Sequence, residues 1–153
     1  LVVMNLVYSA GAYPAGALSD RRQPAELLGW GIFALLLADL ALALISGLAG
    51  VFVGIALWGL HLALTQGVLA RMVADAASER LRGSAFGLFN LATGLALLVA
   101  SVAAGLLWEA FGPAATFLAA AACASLAGLL LVAGRGARGS GDGSAASRRA
   151  ARG

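Results

Sequence analysis

Residues 16–22 read GALSDRR and interrupt a chain that carries little charge on either side. No charged residue precedes this stretch, and residues 27–70 hold one acid, one histidine and no basic residue. Short charged connections between long apolar segments are typical of proteins that cross a membrane several times. GALSDRR is therefore predicted to form a turn between two membrane helices.

The composition supports this reading. Of 153 residues, 61% are hydrophobic and 11% are charged, whereas a soluble domain is about 45–50% apolar and about 25% charged. The net charge is +3, but the arginines lie between and after apolar segments, so we expect no nucleic-acid partner. The first residue is Leu1, and the residues that follow it show no basic region with a small-residue cleavage site, so we expect the chain to begin inside a longer protein.

Five membrane spans are predicted, because about twenty apolar residues are needed to cross the bilayer as a helix and free backbone groups exclude other structures. The expected fold class is all-α, a polytopic transmembrane helical bundle over residues 1–134. The tail, residues 135–153, is rich in Arg, Gly and Ser and is predicted to be disordered. The predicted spans are about 1–18, 27–46, 50–70, 84–107 and 113–134.

The arginines predict how these spans are oriented. All ten basic residues are arginines, and they lie in the first and third connections and in the tail, with none in the other two connections. The positive-inside rule makes the arginine side cytoplasmic, so residue 1 is expected outside and the C-terminus inside.

Four residues of the opening stretch, Gly16, Leu18, Asp20 and Arg21, form the pattern G-x-L-x-D-R. This pattern resembles the core of the cytoplasmic loop signature of the major facilitator superfamily. In that family the signature lies between helices 2 and 3, and a second copy lies between helices 8 and 9. Four predicted spans follow the pattern here, which is similar to the surroundings of the second copy.

Two further stretches look like the same family. ADAASERLRGSAFGLFN (74–90) is similar to the connection into helix 11, and FGPAATF (111–117) is similar to the entry into helix 12. The resemblance covers about residues 1–134 and implies helices 8–12 of a twelve-helix transporter, with the N-terminal half of the same protein as partner.

The resemblance gives Gly16, Leu18, Asp20 and Arg21 an expected role as a conformational latch. Asp20 can accept hydrogen bonds from the N-terminus of a neighbouring helix, and Arg21 can pair with a carboxylate across the loop. The alternative is that Asp20 only caps its helix and that the arginines only fix the orientation.

The third span carries His61 in its middle, and Thr65 shares a face with it, whereas Gln66 is turned away by roughly 140°. These three residues are candidates for lining a substrate cavity, because the family's helix 10 borders its central cavity. His61 can bind substrate or carry a proton, or it can be a neutral histidine bonded to a carbonyl or to Thr in helix packing. One histidine makes no metal site.

Other polar residues within the spans extend the candidate list. Asp39 in the second span is a candidate for proton coupling. The alternative is that its carboxyl forms a structural hydrogen bond or extends partly to the outer membrane surface. Asn5 and Tyr8 in the first span, and Asn90 and Thr93 in the fourth, are candidates for cavity lining, with helix packing as the alternative.

No pairing of a nucleophile with a base and no phosphate-binding loop is recognisable, so the sequence predicts no enzyme and calls for no cofactor or metal. The expected function is that of a secondary active transporter in a cell membrane, in the bilayer of a bacterial inner membrane. It would move a small molecule by alternating access, with proton-coupled efflux as one form. The alternative is a non-transporting membrane scaffold or a degenerate transporter remnant.

Overall fold

The computed structural model describes residues 1–134 with their side chains and follows the last helix as far as Ala150. The helices are α1 (Val2–Ser19), α2 (Pro24–Leu44), α3 (Gly47–Ala76) and α4 (Arg82–Ala150), with a 3-10 turn at Glu79–Leu81 between the last two. No strand occurs in the described part of the chain. The all-α prediction is confirmed. The predicted disordered tail lies outside the residues described in full and stays a prediction.

A kink at Gly112 divides the part of α4 that is described with side chains into two segments, residues 82–111 and 113–134. Gly112 has φ 82° and ψ 178°, a conformation that favours glycine because a Cβ would clash there. Pro113 follows, with no N–H to donate and φ already suited to a first helical turn. The break therefore falls between the fourth and fifth predicted spans.

Three helical stretches are long and apolar enough to cross a membrane: Pro24–Leu44, Gly47–Ala76 and Glu79–Gly134. The last contains 56 residues, which as a straight helix would measure roughly 84 Å, more than twice the bilayer core of about 30 Å. Its kink allows two crossings. α1 is not one of the three, and it contains the polar residues Asn5, Tyr8 and Tyr13. The protein is a multi-pass membrane protein, but the count of five spans is not confirmed.

Small side chains hold the helices together. Alanine provides seven of the nine buried apolar side chains in the described residues, which permits close approach of the backbones where lipid removes the hydrophobic drive for helix association. α3 lies between α1 and α2, and the second segment of α4 packs on α2. Residues 90–103 of the first segment are all exposed, so the described residues leave that segment largely unpartnered.

Two glycines lie at close contacts of α3 with its neighbours α1 and α2. A Cβ built on Gly59 would lie 2.6 Å from the backbone oxygen of Met4 in α1. A Cβ built on Gly31 of α2 would collide with the side-chain methyl group of Thr65. These two contacts set how closely α1 and α2 can approach α3.

Candidate functional site

His61 is a contact between two helices. Its Nδ1 donates a hydrogen bond to the backbone oxygen of Gly31 in α2, 2.8 Å away, because a carbonyl oxygen only accepts. One turn further along α3, the hydroxyl of Thr65 donates to the backbone oxygen of His61 over 2.8 Å. Thr65 is only 6% exposed. Of the two roles that the sequence leaves open for His61, this geometry favours helix packing.

Replacing His61 should therefore weaken the α2–α3 contact. We expect His61→Ala in the intact protein to lower the free energy of unfolding by about 1 kcal/mol, the usual size of a hydrogen bond between membrane helices. Thermal unfolding in detergent measures this change. Gln66→Ala is the matched control, since Gln66 lies on the same helix with its side chain exposed. Equal melting temperatures for the two variants would contradict the assignment.

The remaining candidates for cavity lining differ in how exposed their side chains are. The side chains of Asn5, Gln66, Asn90 and Thr93 are exposed, and Tyr8 is half-buried. Thr93 satisfies its hydroxyl within α4 by donating to the backbone oxygen of Phe89, 2.8 Å away. The three exposed amides therefore stand apart as polar groups that need water or another protein segment.

Arg71 joins the C-terminal ends of α1 and α3. Its Nη1 donates to the backbone oxygen of Ser19 over 2.9 Å and lies 3.5 Å from Oδ1 of Asp20. Its Nε lies 3.7 Å from Oδ2 of Asp75, one turn along α3. We call Ser19, Asp20, Arg71 and Asp75 the Arg71 cluster. It gives Asp20 a partner on α3 rather than at a helix N-terminus.

The rest of the predicted latch shapes the turn. The hydroxyl of Ser19 donates to the backbone oxygen of Gly16 over 2.8 Å, and the backbone oxygen of Leu18 accepts from the N–H groups of Arg21 and Arg22. Within residues 1–134, Arg21 forms no ion pair, while Arg22 lies 3.5 Å from Glu26. Sequence reasoning counted Arg71 only as an orientation charge and missed it as a partner, because the contact joins residues 51 positions apart in the chain.

Asp39 is buried within the bundle. It is 5% exposed, and its Oδ2 has no hydrogen-bond partner among the described residues. The sequence left two alternatives for Asp39, a structural hydrogen bond or contact with the outer surface. Neither is observed for Oδ2, which is buried and has no partner among the described residues.

Metal-binding chemistry finds no support in the described helices. No group of three or more His, Cys, Asp or Glu side chains comes together in that part of the chain. The single thiol, Cys123, is free and exposed.

Apolar helices packed through alanine and glycine, with polar side chains along some of their faces, define a polytopic α-helical membrane protein. The family model for the Major Facilitator Superfamily matches residues 1–151, and the chain belongs to this superfamily. The resemblance drawn from GALSDRR is thereby confirmed. The family and fold are those of transporters rather than enzymes.

Two known proteins show the similarity in detail. An uncharacterized transporter of this type from Methanocaldococcus jannaschii is 34% identical over 131 residues, which is 86% of this chain and 33% of that protein. A peptide transporter, POT, solved as a mutant in complex with alafosfalin, superimposes with a TM-score of 0.74 and 25% identity, over 88% of this chain and 28% of that one. The chain thus spans about a third of the length of the relative it matches.

Proposed function

We propose that this chain is the C-terminal part, helices 8–12, of a secondary active transporter that moves a small molecule by alternating access. The observation that carries the proposal is the exposure of three amide side chains, Asn5, Gln66 and Asn90, on helices of an otherwise apolar bundle. Lipid disfavours such groups, so they belong on a water-filled cavity or against another protein segment. A scaffold has no need of them.

The N-terminal half of the transporter is the proposed second wall of that cavity. The Asn90 face of the exposed stretch of α4, residues 90–103, offers the surface against which it would lie. The similar peptide transporter was solved with alafosfalin bound, which supports a small-molecule substrate here as well.

The Arg71 cluster is proposed as the conformational latch. It ties the end of α1 to the end of α3 across the turn that carries the family signature. Its side chains are exposed, from 47% for Arg71 to 78% for Asp20, so such pairs add little to overall stability. A contact of this kind is suited to forming in one conformation and opening in another.

The finer form of the proposal is proton-coupled efflux across a bacterial inner membrane, with the arginine side and the C-terminus in the cytoplasm. The membrane-embedded carboxyl group of Asp39 supports proton coupling, since a proton is the ion that a single carboxyl can hold.

Alternating access is tested by thiol labelling of the intact protein in membranes. In a background with Cys123→Ala, a cysteine at Asn90 should react with a membrane-impermeant thiol reagent from either side, because a cavity opens to each side in turn. Val99→Cys is the matched control: Val99 is 69% exposed and lies on the opposite face of the same helix, so it should face lipid and stay unlabelled. Gly47→Cys should react only from outside if the proposed orientation holds.

The outcomes separate the two candidate functions. A scaffold or a remnant would leave the Asn90 position closed or open to one side only. That result would refute alternating access, and labelling of Gly47→Cys from the cytoplasm alone would refute the orientation.

A further inference from the structure

Asp39 lies on a part of α2 whose neighbours contact both α3 and α4. On α2, the backbone oxygen of the preceding Ala38 faces Gly54 of α3, at 3.2 Å from a Cβ built there. Ile32 precedes Asp39 by two turns on the same face of α2, and its side chain approaches Gly128 of α4, at 3.5 Å from a built Cβ. Because Asp39 is buried beside these two contacts, we place it at the seam of α2, α3 and the second segment of α4.

Within residues 1–134, the helices around Asp39 carry no nearby charge that could balance a carboxylate. On α2 the only other titratable residue is Glu26, at the far end of the helix. On α3, His61 is bound to Gly31, about 12 Å further along the bundle axis, and Arg71 and Asp75 lie beyond it. On the second segment of α4, the only titratable side chain is Cys123, which is exposed rather than turned into the seam.

Two features limit what can occupy this site. Because Asp39 is only 5% exposed, it leaves almost no surface for a partner from another segment. A metal ion needs several oxygen ligands, and no acidic group gathers around Asp39 in the described residues. A proton, in contrast, can bind to a single carboxyl group. Its binding neutralises the carboxylate, whose charge is unfavourable among apolar side chains.

We infer that Asp39 is a proton-binding site inside the bundle, separate from the central cavity. This inference deepens the proposed proton coupling by placing its proton on α2, between α3 and α4, rather than among the cavity amides. Release of the proton would leave a bare carboxylate in the seam, so it requires water to enter between α2 and its neighbours. The site thereby links protonation to the packing of three helices.

The test uses dicyclohexylcarbodiimide on the intact protein in membranes. This apolar reagent adds to a protonated carboxyl: the carboxyl oxygen bonds to the carbodiimide carbon, the proton moves to one nitrogen, and acyl transfer to nitrogen leaves a stable N-acylurea with no atom lost. A groove of about 440 Å³ between α2 and α4, lined in part by Leu36 and Ala124, can hold the reagent about one turn from Asp39. We expect a mass-mapped adduct on Asp39 that declines as the pH is raised and is lost in Asp39→Asn.

Asp39→Asn keeps the shape and neutrality of a protonated carboxyl, so its melting temperature should match that of the unmodified protein. Infrared difference spectra between the two should show one protonated carboxyl band at neutral pH, and absence of that band would overturn the inference. If Asp39→Asn does not fold, the adduct on the unmodified sequence decides: its presence supports the site and its absence overturns it. Neither readout depends on transport, so proton binding can fail while alternating access holds, and the reverse.

Discussion

Gly59→Leu should prevent α1 from docking on α3 and abolish the folded protein. The built Cβ at Gly59 lies 2.6 Å from the backbone oxygen of Met4 and 3.1 Å from the Cβ of Val7. A backbone oxygen cannot swing aside as a long side chain can. Relief requires α1 to move away and give up its contacts along α3. Even Gly59→Ala should cost about 1–3 kcal/mol, the usual penalty for overpacking a filled core.

Gly67 supplies the control for this substitution. It lies on the same helix, and nothing comes within 4 Å of its built Cβ. Because alanine favours helix over glycine by up to about 1 kcal/mol, Gly67→Ala should be neutral or slightly stabilising, and Gly67→Leu should fold. The yield of monodisperse protein in size-exclusion chromatography, together with thermal unfolding, measures both pairs. Similar yields for Gly59→Leu and Gly67→Leu would show that α1 does not pack as described.

Arg71→Gln should shift the conformational balance of the transporter. The substitution removes the charge that holds Asp20 and Asp75 and the strong donor to the backbone oxygen of Ser19. Exposed ion pairs contribute about 0.2–1 kcal/mol each, so loss of the latch should change the ratio of two conformations by up to roughly fivefold per pair. The measurement is the ratio of labelling rates of Asn90→Cys from the two sides of the membrane.

Arg82→Gln makes the same change of charge on the same side of the membrane at an exposed arginine. It should leave the labelling ratio unchanged. Raising the salt concentration should move the unsubstituted protein toward the behaviour of Arg71→Gln, because salt screens exposed pairs. The latch is refuted if Arg71→Gln and Arg82→Gln give the same ratio.

Much of the fold was open to prediction because lipid imposes strong local rules. Runs of apolar residues longer than about twenty can only be helices, so the all-α class followed from composition and spacing. The last two predicted spans are separated by the Gly112–Pro113 break, whose residue types prescribe it. The first span was harder, since its polar residues weaken the hydropathy signal on which such predictions rest.

The sequence by itself determined the all-α membrane class, and the resemblance carried by G-x-L-x-D-R indicated the family that the family model confirms. Only the tertiary structure decided which side chains meet. His61 and Gly31 lie 30 positions apart, Asp20 and Arg71 lie 51 apart, and the burial of Asp39 depends on α3 and α4 together. The physical reason is that the faces of α2 and α3 are nearly all apolar, so hydropathy does not single out a buried side. Small residues such as Gly31 and Gly59 let two backbones approach, and these contacts decide which face of each helix is buried. They form only when the helices pack.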